Sequence, residues 1–196
     1  METMEQIAEA IADRARAIAA EKGRATVFID GRCASGKSTL ARRLGELLGA
    51  NVFHVDDFFL PFEKKTAERL SRPGENVDHE RFLSEVLIPH RENVSFSYRP
   101  YDCSVGGLSE PVFVTPTAIT VVEGVYCCRP ELYPFGDLHL FLTVSPEEQM
   151  RRILARNGER MAERFRLEWI PMEEAYFSAF SVEARCEATY VLADHA

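Results

Sequence analysis

The sequence predicts an α/β protein built on a parallel sheet flanked by helices. Three observations carry that reading. Short apolar runs alternate with helix-patterned stretches along the chain. The apolar runs are β-branched and aromatic with little in–out alternation, as strands covered on both faces are. A Gly-rich loop, Gly31 to Ser38, joins the first of these runs to a helical pattern.

The elements follow in order. "METMEQIAEAIADRARAIAAEKG" sets Ile7, Ile11, Ala15 and Ile18 at helical spacing, so residues 1–23 are expected to form an amphipathic helix packed on the domain. A partner-binding helix is the alternative. Its acidic residues and broken apolar pattern argue against a signal peptide. Strands are expected at Thr26–Asp30, Val52–Val55, Ile119–Val122, Leu138–Val144 and Tyr190–Leu192. Helices are expected at Lys37–Leu48, Asp78–Ile88, Pro146–Arg156 and Pro171–Arg185. Ser145-Pro146-Glu147-Glu148 is a strong helix start, with a capping Ser, Pro at the first position and Glu three residues on. Asn157-Gly158 reads as a hinge-like stop. Over 94–116, two β-rich arms flank Gly106-Gly107, which predicts an inserted β-hairpin. Such an excursion either builds a substrate-side pocket, the reading favoured here, or forms a structural edge. No repeat or linker divides the chain, so one domain is expected over 1–196.

Composition narrows the function. A hydrophobic share of 46% is ordinary for a soluble globular protein, and no apolar run approaches the ~20 residues that span a bilayer. A formal charge of -8 argues against broad binding to nucleic acid or to anionic membranes, while leaving room for a local basic pocket. Cys33, Cys103, Cys127, Cys128 and Cys186 have no zinc spacing, and are expected to be reduced, buried thiols of a cytoplasmic protein. Cys33 lies inside the Gly-rich loop, where oxidation would inhibit.

That loop, Gly31-Arg32-Cys33-Ala34-Ser35-Gly36-Lys37-Ser38, matches the phosphate-binding pattern G-x-x-x-x-G-K-[ST]. Gly31 and Gly36 let the backbone curl so that successive N–H groups point inward, and the following helix adds partial positive charge. The expected ATP-binding set is Gly31, Arg32, Ala34, Ser35, Gly36, Lys37, Ser38 and Thr39. Lys37 is expected at the β- and γ-phosphates, and the Ser38 hydroxyl on Mg²⁺.

The destination of the terminal phosphate lies elsewhere in the chain. The Asn-Lys-x-Asp and Asp-x-x-Gly elements of switch GTPases are absent. A small-molecule kinase needs a carboxylate facing the γ-phosphate and a mobile cationic lid. "NVFHVDDFFLP" sets Asp56 and Asp57 at a strand's C-terminal end, where open α/β sheets build their sites. "ITVVEGVY" places Glu123 after a buried strand, suited to holding Mg²⁺ or capping a turn. The stretch 150–166 carries Arg151, Arg152, Arg156, Arg160, Arg164 and Arg166, with Arg152 and Arg156 on one helix face. It reads as a lid, or as a solvated face paired with its glutamates.

Taken together, "IDGRCASGKSTLA", "VDDFF", "NVDHERF", "YRPYDC", "VVEGVY", "RRILARNGER" and "ATYVLA" resemble, in family order, the uridine kinase and phosphoribulokinase family of phosphate-loop (P-loop) kinases. The resemblance implies a P-loop NTPase fold with a five-stranded parallel sheet, and ATP with Mg²⁺ as phosphoryl donor. It implies transfer to a small-molecule alcohol, the 5′-hydroxyl of uridine or cytidine being favoured. Asp56 would be the catalytic base, with Asp57 the second choice, and Lys37, Arg152 and Arg156 would stabilise charge. Asp78 would lie near the ribose hydroxyls, and Tyr101 and Asp102 beside the base. Three positions depart from the family pattern: no His follows Tyr101-Asp102, Phe59 replaces a Tyr, and Glu80 replaces a Pro. These fall on acceptor recognition rather than on phosphoryl transfer. The rival readings are a kinase of another small alcohol (pantothenate or a sugar phosphate), a non-catalytic nucleotide-binding regulator and an RNA-end kinase. Oligomeric state stays open, with a homo-oligomer allowed.

Overall fold

Alternate strand residues commit the sheet to two separate cores, and that fixes the layers. In a computed structural model describing residues 3–192, the chain runs α1 (Met4–Lys22), β1 (Ala25–Gly31), α2 (Lys37–Leu48) and β2 (Asn51–His54). Next come short helices α3 (Ala67–Leu70), α4 (His79–Phe82) and α5 (Ile88–Arg91), then strands β3 (Phe96–Tyr98), β4 (Tyr101–Asp102), β5 (Gly107–Leu108) and β6 (Val112–Val114). The chain continues through β7 (Ile119–Glu123), β8 (Leu138–Thr143), α6 (Pro146–Arg164), α7 (Ile170–Phe180), α8 (Val182–Arg185) and β9 (Ala188–Val191). The ends of the expected domain, 1–2 and 193–196, lie outside the described residues.

Five strands form one parallel sheet in the order β2-β7-β1-β8-β9. This is the α/β P-loop NTPase fold that the sequence predicts. On one face Val27, Ile29, Leu138, Leu140 and Leu142 pack with Ile7, Ile11 and Ala15 of α1 and Leu40 and Leu44 of α2. On the other, Phe28, Val122 and Phe141 meet Phe58, Phe82, Tyr176 and Phe177. Side chains of a strand alternate between faces, so strands covered on both read as unbroken apolar runs. The apolar stripe of α1 is core: Ile7, Ile11 and Ala15 are buried. Thr3 caps this helix in a capping box with Gln6, and Gly23 ends it.

Two expected helices are corrected. The helix expected at Asp78–Ile88 is α4, a π turn over Leu83–Leu87, and α5. A second π turn, Phe165–Trp169, precedes α7. Each lies just ahead of a proline, Pro89 or Pro171, whose missing N–H and bulky ring disfavour regular α-helical bonding. The expected Pro171–Arg185 helix breaks at Ser181, which adopts a left-handed φ of 50°. The hinge-like stop expected at Asn157-Gly158 is present: Gly158 leaves helical geometry (φ 74°, ψ 170°), and a second helical stretch runs from there to Arg164.

The hairpin forms in two pieces, β3 against β6 and β4 against β5. Pro100 and Pro111, which cannot donate to a ladder, sit between them. The five cysteines are free; Cys33, Cys127 and Cys128 are buried, whereas Cys103 is exposed at the hairpin turn. Among the described residues no helix is long and apolar enough to cross a membrane.

Candidate active site

The strand order brings the C-terminal ends of β2, β7 and β1 side by side. Open α/β sheets bind ligands at such ends. β1 feeds the Gly-rich loop, β7 ends on Glu123, and β2 ends on His54 and passes into a 3₁₀ turn, Val55–Phe58, carrying Asp56 and Asp57.

Within the loop the buried Lys37 donates from Nζ to the carbonyls of Gly31 at 2.8 Å and Arg32 at 2.9 Å. Gly36, at φ 101°, makes the turn into α2. Ser35 is fully buried, and its hydroxyl has no partner among the described residues. Ser38 and Thr39 are exposed and line an open recess of about 750 Å³ with Arg42, Asn51 and His54. Ala34 adopts a left-handed φ of 59°, and its carbonyl accepts a bond from Arg152. Arg32 differs from the expectation for it. Its N–H goes to Leu142, its carbonyl to Lys37, and its guanidinium to Glu174 and Thr143.

The acids gather across the strand ends. His54 and Glu123 are register partners in the parallel β2–β7 pair, and His54 Nδ1 lies 2.5 Å from Glu123 Oε1. Glu123 is buried, and its hydrogen bond raises the pKa of His54. Solvent reaches Asp56, yet protein crowds its carboxyl enough to push its pKa upward; Glu123 adds to the shift while Lys37 and His54 oppose it. Asp57 is half-buried, also shifted upward by burial, and accepts a long 3.5 Å bond from the Tyr98 hydroxyl of β3. This contact joins the base of the hairpin to the acidic turn.

The remaining expected residues are spread more widely. Arg152 bonds to Glu148 and reaches the carbonyls of Ala34 at 3.2 Å and Leu192 at 3.3 Å. Arg156 is exposed and bonds to Asn157. Arg151, Arg164 and Arg166 pair with Glu148, Glu168 and Glu163, as a solvated helix face does. Asp78 is fully buried, with one oxygen capping α4 through the Arg81 N–H and the other bonded to Lys64 at 2.8 Å. Tyr101 is buried, and Asp102 bonds to the N–H and hydroxyl of Ser104.

Two residues beside the site were not expected. His54 carried a readable signal, an imidazole near the end of an expected strand and two positions before Asp56. Glu173 carried none. Its Oε2 accepts the Cys33 N–H at 3.0 Å from a helix 140 residues away in sequence.

The chain shares the fold of phosphate-loop kinases. Three solved structures, each provisionally described, align over nearly its whole length. A uridine kinase of Bacillus stearothermophilus is 21% identical over 92% of this chain and 98% of its own, with a TM-score of 0.65. A fructose transport system kinase of Silicibacter sp. TM1040 is 20% identical over 97% and 100%, with a TM-score of 0.75. YFH7 of Saccharomyces cerevisiae, a P-loop-containing kinase with a circular permutation, is 11% identical over 96% and 99%, with a TM-score of 0.72. No family model matches the sequence. No curated protein matches it either.

Proposed function

We propose that the protein is an ATP-dependent small-molecule kinase, passing the γ-phosphate to a primary hydroxyl. One observation carries this reading: a solvent-reached carboxylate, Asp56, stands beside Lys37 and Glu123 where three adjacent strands end. A nucleotide switch needs no such open acid.

The donor sets fit the groups they would hold. The unpartnered Ser35 hydroxyl, within a glycine-turned loop, suits a phosphate oxygen. The Ser38 hydroxyl and the Glu123 carboxylate are hard oxygen donors, which Mg²⁺ prefers. When bound, Mg²⁺ would supply charge neutralisation on the phosphates. Lys37 would bind the β- and γ-phosphates, with Ala34, Gly36 and Thr39 completing the cradle through their main-chain N–H groups, while Gly31 turns the loop and Arg32, its own main chain already bonded, braces it. Asp56 orients the acceptor hydroxyl and takes its proton as the oxygen accepts the phosphoryl group and ADP departs. Its raised pKa makes it a better base than an ordinary aspartate. The 150–166 segment acts as the lid, with Arg152 and Arg156 stabilising transferred charge and excluding water.

The favoured acceptor is the 5′-hydroxyl of uridine or cytidine, with the hairpin forming one wall. Support comes from the motif resemblance and from the structural likeness to a protein described as a uridine kinase. A second reading, another small alcohol such as pantothenate or a sugar phosphate, is favoured by the polar inventory. Asp78 and Asp102 are already bonded within the protein, and one structural neighbour is described as a sugar transport kinase. A cytoplasmic location, where thiols stay reduced, suits five free cysteines.

The test is an ADP-release screen over nucleosides, pantothenate and phosphorylated sugars, with Lys37→Ala as the blank. Turnover that requires an added alcohol supports the kinase. Turnover confined to non-nucleosides selects the second reading, and none with any alcohol overturns both.

A further inference from the structure

Cys33, at the apex of the Gly-rich loop, is gripped from both flanks of the Arg-rich segment. From α7, the buried Glu173 accepts the Cys33 N–H at 3.0 Å. From α6, the buried Gln149 donates to the Cys33 carbonyl at 3.0 Å and to its sulfur at 3.2 Å. Glu174, the next residue along α7, holds Arg32. The loop is therefore clasped by residues on either side of the 150–166 segment, Gln149 before it and Glu173 after it.

The clasp contains a buried acid whose surroundings are nearly all uncharged or acidic. Facing Glu173 are Cys33 from the loop, Lys37 from α2, Asp56 from the turn after β2 and Tyr126 from the segment after β7. Gln149, facing Cys33 from α6, is neutral. Arg32, the nearest other cation along the loop, is taken by Glu174. Lys37 is thus the cation on which Glu173 depends.

We propose that Glu173 is a positioning residue that takes up a proton when a nucleotide loads the loop, so that phosphate binding and protonation are coupled. The inference rests on the reading of this loop as a nucleotide site. Phosphates drawn to Lys37 bring negative charge to the cation that Glu173 shares. Two anions competing for one cation in a buried site is unfavourable, and a proton on the weaker acid removes the conflict. The neutral carboxyl still offers an oxygen to the Cys33 N–H, so the clasp survives loading. The proton is accessible near neutrality: burial pushes the Glu173 pKa up to about 7, against the pull of Lys37 and the Cys33 N–H, and Asp56 adds to the rise.

The experiment is calorimetric titration of ATP into the wild type and Glu173→Gln from pH 6 to 8, in two buffers of different ionisation enthalpy. Gln keeps the oxygen that accepts the Cys33 N–H. The wild type should take up more protons than the variant, most strongly between pH 7 and 8. Its ATP affinity should fall up to about tenfold more from pH 6 to pH 8, the consequence of one linked proton on a group titrating near 7. ATP binding with equal proton uptake in both proteins overturns the inference and spares the nucleotide reading. No ATP binding by the wild type overturns both. Should Glu173→Gln fail to fold, carboxyl NMR of ¹³C-glutamate-labelled wild type decides. One glutamate must titrate near neutrality and shift upward with ATP; its absence overturns the proposal.

Discussion

Glu174 holds Arg32 at two points, Nε to Oε1 at 2.7 Å and Nη2 to Oε2 at 3.1 Å. The same guanidinium donates to Thr143 at 2.7 Å and lies over the rings of Phe141 and Phe177. Arg32 is thus a strut from the Gly-rich loop to β8 and α7. A lysine cannot reproduce the planar fork or the ring contacts. Arg32→Lys should lower unfolding stability by about 1–2 kcal/mol while raising the Kd for ATP less than about tenfold. Urea denaturation and ATP titration check the two halves, and a large loss of ATP affinity at unchanged stability would contradict the strut.

Gly31 closes β1 where no side chain fits. It pairs with Leu142 of β8 at a φ of 130°, and an added Cβ would lie 2.0 Å from the Leu142 carbonyl oxygen. Relief requires β8 to move, because the obstacle is backbone. Gly31→Ala should cost more than about 4 kcal/mol, or abolish soluble expression. Gly107→Ala, where the added carbon meets nothing within 4 Å, should stay within about 1 kcal/mol of wild type in the same thermal melt.

What the residues disclosed in advance was local. Two-faced strands such as Leu138–Thr143 advertise burial by composition, the Gly31–Ser38 loop by its turn chemistry, and α6 by the Ser145 cap. The sheet order was not legible, because no short stretch encodes it. That order brings His54 to Glu123 across 69 residues, and helix packing brings Glu173 to Cys33 across 140. Such pairings are created by the packing of distant elements, so spacing along the chain is silent about them. The kink at Gly158 was legible, because glycine adopts such a left-handed φ at little cost.

His90 gives the fold an acid-side weakness. It is buried, its Nε2 lies 2.6 Å from the Thr120 hydroxyl, and its ring meets Phe53 edge-on at 5.8 Å. Burial, and secondarily Arg24, lower its pKa below the usual 6.5. Between about 6.5 and the lower folded value, the unfolded chain binds a proton that the folded chain refuses. Its contribution is therefore intact above about pH 6.5 and is lost as pH falls through that window. His90→Gln should be less stable than wild type at pH 8, from lost packing, yet show a flatter decline from pH 6.5 to 5. Urea midpoints across that range measure it, and parallel curves would show that His90 does not carry the slope.

Asp56 joins the proposed chemistry to a stability cost, and the two can be separated. Its carboxylate is crowded by protein and by Glu123 and Asp57, and Lys37 and His54 offset this without cancelling the upward shift in its pKa. A group held against its charged form costs folding free energy when ionised. Replacing it with the similarly shaped, neutral asparagine removes that cost, while the His54–Glu123 bond remains. Asp56→Asn should therefore melt at or above the wild-type Tm at pH 7.5. Loss of a general base should still lower kcat by about 10²–10⁴ with little change in ATP affinity. A residue kept only for structure would reverse the pattern, lowering Tm and leaving turnover by the folded fraction intact. Tm, ATP titration and the ADP-release rate on one preparation distinguish the two, and near-normal kcat would remove Asp56 from the chemistry.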